Sequence, residues 1–322
     1  MSVLVYTQNW DGKFKKSSFE LVSYASKVAD MLNVSVIALS IGAVENDELK
    51  KLGNYGAGKI LNVNNEQCKI LDNQVYTNII SRVALKEKSS VIIISNNNEG
   101  KAIAPRLSVS LKAGIGSGVS KLPVNLNPFT VYKRTYSGNA YAQVVINSEI
   151  KILTLAQNSF DLFETTNNSV IEDLNISVDS SLLKTEVKDV QKMAGKILLT
   201  DADIVVSGGR GMKSPDNWGP IVELAGLLGA ATACSRPVSD EGWRSHDEHT
   251  GQTGKIIAPN VYIAVGISGA TQHLAGISSS KYIVAINSDK DAPIFEAAQY
   301  GIVGDAMKVL PKLIEAVKEL KK

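Results

Sequence analysis

Two glycine-rich segments hold the residues best suited to chemistry in this chain. The first, Ser207-Gly208-Gly209-Arg210-Gly211, follows the apolar run Asp203-Ile204-Val205-Val206. Residues without a Cβ let a backbone approach a ligand closely and leave N–H groups open to an anion. Arg210 adds a planar guanidinium that matches phosphate oxygens. The spacing fits neither the G-x-G-x-x-G dinucleotide fingerprint nor the P-loop. A tight strand-to-helix turn with an exposed Arg accounts for the same residues equally well. The second segment, Gly266-Ile267-Ser268-Gly269-Ala270-Thr271-Gln272-His273, follows Tyr262-Ile263-Ala264-Val265 and leads into a helical pattern. Free amides at such a point favour a pyrophosphate. His273, about one turn further on, then reads as a ligand contact rather than a structural residue.

Ser235-Arg236 and the later stretch Thr250-Gly251-Gln252-Thr253-Gly254 form a third candidate. Small polar residues between strands suit a ligand-facing loop, although composition alone favours plain turns. His246 and His249 have H-x-x-H spacing, with Cys234 upstream. Gly242 and Gly251 bracket them as loop, and no second Cys or third nearby His completes a zinc-type set. The absence of G-x-S-x-G argues against a serine hydrolase.

Strands and helices must present these segments. In the first hundred residues they alternate: Val3 to Tyr6, Val34 to Leu39, Lys59 to Val63 and Val91 to Ile94 read as strands. Leu21 to Leu32, Asp47 to Leu52, Ile79 to Leu85 and Ala102 to Leu111 read as helices between them. Ser17 and Glu20 have the spacing of a capping box. This alternation predicts βαβ units and a parallel sheet. Thr130 to Tyr132, Tyr141 to Ile146 and Ile150 to Leu155 read as antiparallel strands extending that domain, with Ser137-Gly138-Asn139 as a hairpin turn. Polar residues dominate 164 to 192, and an interdomain connection is expected late in that stretch. A second βα series follows, with Trp218, Ile221, Val222, Ala225 and Leu228 on one helical face and Tyr282 to Ile286 as a strand. A last helix is expected to start near Pro311. The predicted fold class is α/β in two domains, residues 1–190 and 191–322, each with a mainly parallel sheet flanked by helices.

The sequence has 322 residues, 44% hydrophobic and 20% charged, with a formal net charge of +2. That composition is globular, and its balance gives no electrostatic case for nucleic acid or an anionic membrane. Two distant cysteines, Cys68 and Cys234, suit a reducing compartment. The first residues read as a strand rather than a signal peptide, and no apolar run approaches the roughly 20 residues of a spanning helix. No membrane insertion and a cytoplasmic location are therefore expected.

The stretch Val261-Tyr262-Ile263-Ala264-Val265-Gly266-Ile267-Ser268-Gly269-Ala270-Thr271-Gln272-His273-Leu274-Ala275-Gly276 resembles the signature of electron transfer flavoprotein alpha subunits. Further blocks like those of that family occur in the same order: Ser207 to Gly211, Ser235-Arg236, Gly251-Gln252-Thr253-Gly254-Lys255, Ala292-Pro293-Ile294-Phe295 and Tyr300-Gly301-Ile302-Val303. Together they cover about residues 203–310. The first domain matches in length and βα texture but supplies no comparable motif.

The resemblance implies FAD in a three-layer α/β C-terminal domain; no residue suggests a covalent flavin link, so noncovalent binding is expected. It also implies a heterodimer with a beta subunit, onto which the N-terminal domain packs and which carries AMP or a second FAD. It implies a redox carrier rather than an enzyme with its own substrate. Acyl-CoA dehydrogenases of fatty acid beta-oxidation, or other dehydrogenases, would supply electrons, often passed on singly to a quinone reductase or another acceptor. The alternative is a subunit of an electron-bifurcating, NADH-oxidising complex. Residue by residue, the resemblance places Arg210 and the loop Ser268, Gly269, Ala270, Thr271 and Gln272, after Gly266, at the pyrophosphate and ribityl chain. Ser235 and Arg236 would lie beside the isoalloxazine, with His249, Thr250, Gly251 and Gln252 nearby and the Thr253 hydroxyl reaching N5. His273 would lie near the C2 carbonyl, and Asn287 and Asp305 would hold the adenosine half. The sequence departs from the family's pattern with His249 in place of Gln, Thr271 in place of Ile and Ser288 in place of Lys.

Overall fold

The computed structural model describes residues 1–138, 140–165, 169–183, 185–190 and 197–321. The chain divides into two compact units, one of residues 1–135 and 139–190, the other of 136–138 and 191–322. Each is α/β with a mainly parallel sheet flanked by helices.

In the first unit the described residues form a ten-stranded sheet. Its central strand, Ser2–Tyr6, is buried along its length and apolar from Val3 to Val5, as suits a strand covered on both faces. Parallel strands Ser35–Ile41, Lys59–Val63 and Val170–Asp173 follow in order on one side, and Ser89–Ser95, Lys151–Leu155 and Gly114–Val119 on the other. Phe129–Thr135 and Ala140–Ile146 extend that second edge antiparallel. Helices Lys16–Leu32 and Asn46–Gly53 cover one face through Leu21, Val28, Leu49 and Leu52. Helices Asn73–Lys86 and Asn98–Leu111 cover the other through Ile79, Ile80, Ile103 and Leu107.

Several expectations change here. Lys151–Leu155 is not antiparallel: it lies parallel inside the sheet, where its apolar residues are buried on both faces. Within the polar stretch 164 to 192, where no strand was expected, Val170–Asp173 adds a parallel edge strand to Lys59–Val63. Ser17 and Glu20 form no capping box. The helix begins at Lys16, and Glu20 is buried, accepting the N–H groups of Asn158 (3.0 Å), Ser159 (2.8 Å) and Phe160 (3.0 Å). A long-range loop has taken the carboxylate that the local motif would have used. The hairpin-turn residue Asn139 and the connecting residues 166–168, 184 and 191–196 lie outside the described residues.

In the second unit the described residues form five parallel strands: β1 (Ile204–Gly208), β2 (Ala231–Cys234), β3 (Val261–Val265), β4 (Tyr282–Asn287) and β5 (Tyr300–Val303). Their order is β2-β1-β3-β4-β5. Helices α1 (Gly219–Leu228) and α5 (Ala306–Leu320) cover one face, with Trp218, Ile221, Leu224, Leu310 and Ile314 packed on Val206, Ile263, Val265 and Ile286. The short α3 (Thr271–Ile277) and α4 (Ile294–Ala297) lie on the other, with Val205, Tyr262, Ala264, Ile283 and Ala285. The period-2 alternation Tyr262/Ile263/Ala264/Val265 thus feeds two apolar layers from one strand. Helix α2 (Arg236–Asp240) follows β2. α5 begins five residues before Pro311: Asp305 caps it by accepting the Met307 N–H at 3.0 Å, and Pro311 sits inside.

Candidate cofactor site

With this strand order the chain reverses direction across the sheet between β1 and β3, and parallel α/β sheets bind ligands outside the C-terminal ends of strands at such a point. The two glycine-rich segments lie there, directly after Gly208 and Val265. They also hold one another. Gly209 donates to the Val265 carbonyl (2.8 Å) and Gly211 to that of Gly266 (3.0 Å). A Cβ on Gly209 would stand 2.2 Å from the Gly266 oxygen, and one on Gly211 would stand 2.6 Å from the Gly266 Cα. Gly266 has φ +63°, a left-handed conformation that favours glycine. Here the glycines serve loop-on-loop packing, in addition to any ligand.

Beyond Gly266 the loop is exposed at Ser268, Ala270, Thr271 and Gln272. The Ser268 carbonyl accepts from Ile294 (3.0 Å), pinning the loop to α4. Among the described residues, the amides of Ser268 to Gln272 make no hydrogen bond to backbone. Five successive amides thus lack a backbone acceptor, in a loop exposed at four of those five residues. Gly251 packs on α3 so closely that a Cβ on Gly276 would stand 2.5 Å from its Cα, and Gln252 donates to the Gln272 carbonyl at 2.8 Å. That contact brings the segment Thr250 to Gly254 beside His273, with Gln252 and Thr253 exposed.

His273 is buried beneath these loops at 7% exposure. Its Nε2 lies 2.9 Å from the Tyr262 hydroxyl, and its Nδ1 has no well-formed hydrogen bond. Burial, reinforced by neighbouring His249 and weakly opposed by the Thr250 backbone, pushes its pKa down to about 4. The ring is therefore neutral at ordinary pH, so a hydrogen bond rather than a proton's charge is what it can offer. The pKa of His249 is likewise lowered by burial; Asp240 opposes this, and Arg236 and His246 add to it. Its ring lies against Gly254, where a Cβ would come within 2.8 Å of Nδ1. Thr250 is fully buried and turned inward, its hydroxyl 3.3 Å from both the Cys234 carbonyl and the Tyr262 hydroxyl.

Two cations stand at the rim. Arg236, the first residue of α2 after buried Ser235, has a side chain 63% exposed and donates to Asp240 at 3.2 Å. Arg210 has a side chain 67% exposed, with Glu241 at 3.9 Å. Further along, Gly211, Lys213, Gly266, Asn287, Ser288, Asp305 and Ala306 line a small pocket. Asn287 spans its loop, donating to the Ile267 carbonyl (2.9 Å) and accepting from Asp289 N–H (3.0 Å). Asp305 meets Lys213 at 3.0 Å.

The structure thus gathers the predicted residues at one end of the sheet in two neighbourhoods. His249 to Thr253 adjoin His273, while Asn287 and Asp305 line the pocket beside Gly266. Among the described residues no three His, Cys, Asp or Glu side chains group to hold a metal ion. Tyr262 and Lys213 were not singled out from sequence. Tyr262 carried one usable signal: a phenol in a fully buried strand needs a polar partner.

FAD, the group implied by the resemblance, fits on two observations: a buried ring nitrogen without a well-formed partner, and a run of amides without backbone acceptors beside it. Residues 198–278 match the family model described as the electron transfer flavoprotein FAD-binding domain. Residues 3–179 match that of the electron transfer flavoprotein domain. The chain is 35% identical to an electron transfer flavoprotein subunit alpha of Thermoanaerobacterium thermosaccharolyticum, covering 99% of this chain and 98% of that one. It is equally similar to the subunit alpha of Bacillus subtilis, at 35% with the same coverage. It is also 31% identical to an acryloyl-CoA reductase electron transfer subunit beta of Anaerotignum propionicum, over 98% and 95% of the two chains.

Proposed function

Because this chain belongs to the electron transfer flavoprotein alpha-subunit family, whose C-terminal domain binds FAD, we propose that it is the FAD-holding half of a two-subunit electron carrier. The observation that carries this reading is the loop Ser268 to Gln272, whose amides have no backbone acceptor, with His273 Nδ1, which has no well-formed hydrogen bond, beneath it. On this reading the loop amides and Arg210 hold the pyrophosphate, since successive N–H groups and a guanidinium both favour an anion. Arg236, Thr253 and His273 flank the ring, and Asn287 and Asp305 lie at the adenosine end. FAD supplies two-electron and one-electron redox chemistry; the chain's own residues position it and set its electrostatic surroundings. The first unit is the half that packs on a beta subunit. Dehydrogenases, acyl-CoA dehydrogenases among them, are the donors, and a quinone reductase or another protein is the acceptor.

The test is to purify the complex with its beta partner, release the flavin by heat or acid, and count it per heterodimer. FAD at one or two equivalents is expected. FMN, or no flavin, overturns the reading. The relative named as an acryloyl-CoA reductase electron transfer subunit favours a second reading, in which the chain serves within a reductase or electron-bifurcating complex. Two FAD per heterodimer with NADH oxidation would select it.

A further inference from the structure

Below the open loop, the hydroxyl of Tyr262 sits at the centre of a buried polar cluster. Tyr262 is fully buried, with His273 Nε2 at 2.9 Å and Thr250 Oγ1 at 3.3 Å. Thr250 Oγ1 also faces the Cys234 carbonyl at 3.3 Å. Ser207 adjoins the phenol without a hydrogen bond of good geometry. We propose that Tyr262 is a positioning residue that fixes the tautomer of His273, donating its hydroxyl hydrogen to Nε2 and so placing the ring's single proton on Nδ1, the nitrogen without a well-formed protein partner.

The argument follows the available protons. A neutral imidazole has one N–H and one acceptor nitrogen. A carbonyl can only accept, so the Cys234 oxygen draws the Thr250 hydrogen, or that hydrogen goes to the phenol oxygen. Either way the Tyr262 hydrogen is free for the shorter contact, to Nε2. The reverse arrangement would set the weaker donor, an imidazole N–H, against the weaker base, a phenol oxygen. It would also send the phenol hydrogen along the longer contact to Thr250. Burial keeps the phenol protonated and the imidazole neutral, so both forms required are those present at ordinary pH. The outcome is a fixed N–H donor in a buried place, and a buried donor needs an acceptor. The Thr250 backbone adjoins the ring without a well-formed hydrogen bond; resting on the FAD reading, His273 therefore offers its N–H to an acceptor atom on the cofactor, before the cofactor arrives.

Nitrogen NMR on full-length, 15N-histidine-labelled protein tests this with and without FAD. Only three histidines need assignment, and His246→Asn and His249→Gln identify the other two. In flavin-free wild type, His273 is expected in the Nδ1-protonated form alone. Tyr262→Phe should release this, with a substantial Nε2-protonated population appearing. Thr250→Val, which keeps the phenol, should leave the Nδ1 form in place. An Nε2-protonated His273 in wild type, an unchanged ring in Tyr262→Phe, or a switch in Thr250→Val each overturns the proposal. If the protein neither carries nor takes up FAD, the functional reading fails separately, because the tautomer is still read in the flavin-free protein.

Discussion

Gly209 and Gly266 meet backbone to backbone: a methyl group on the first would stand 2.2 Å from the carbonyl oxygen of the second. The turns that follow β1 and β3 are therefore not independent, and a side chain in one displaces the other.

Gly209→Ala should lose bound flavin and destabilise the protein by about 2 kcal/mol or more, as overpacking against rigid backbone does. Gly226→Ala is the control. It lies inside α1 with nothing within 4 Å of the added methyl, so a gain of about 0.5–1 kcal/mol is expected. Flavin content and thermal unfolding of both variants check this; equal behaviour would contradict the loop-on-loop contact.

His273 sets a pH dependence. Its folded pKa of about 4 lies below the roughly 6.5 of an unfolded histidine. Between these values the unfolded chain binds more protons, so folded stability rises with pH across that window and is retained above it. The contribution is on the order of 3 kcal/mol, lost as pH falls from about 6.5 to about 4. Urea unfolding of flavin-free wild type and His273→Asn at successive pH values should show a gap that closes in acid. A pH-independent gap would count against a buried neutral ring.

His273 and Arg236 should also tune the flavin potential. A hydrogen bond to a group gaining charge contributes about 1.5–3 kcal/mol, equivalent to roughly 60–130 mV for one electron. His273→Ala should lower the first-electron potential by about that much with FAD largely retained. Arg236→Ala should lower it less, because its side chain is 63% exposed and solvent screens it. If both variants shed FAD while the remainder keeps its potential, the two residues only hold the loops.

In the first unit, Glu20→Ala should cost about 1–3 kcal/mol, because Asn158, Ser159 and Phe160 lose their shared acceptor. Glu20→Gln should cost less, since its carbonyl still accepts. Chemical denaturation of both separates an acceptor role from simple packing; equal losses would refute it.

What was legible in the sequence follows the range of the interactions. The glycine loops were visible because close backbone approach demands a residue without a side chain, and the apolar strands because burial on both faces needs continuous runs. Gly114–Val119 was not: its three glycines weaken strand propensity, and it is a strand because Lys151–Leu155 pairs with it. Pro311 suggested a helix start, but Asp305 caps α5 earlier. The Tyr262–His273 contact joins a strand to a helix across a loop, and no local periodicity encodes it.

The rim arginines each rest on an exposed carboxylate, Arg236 on Asp240 and Arg210, loosely, on Glu241. Exposed pairs of this kind are worth about 1 kcal/mol or less, so either cation can exchange one anionic partner for another nearly isoenergetically. The electron carrier proposed for this chain, filled and emptied on every cycle, needs such reversibility. Had these arginines been held in buried pairs, charge arriving at the site would have had to break them, and charge leaving would have had to remake them.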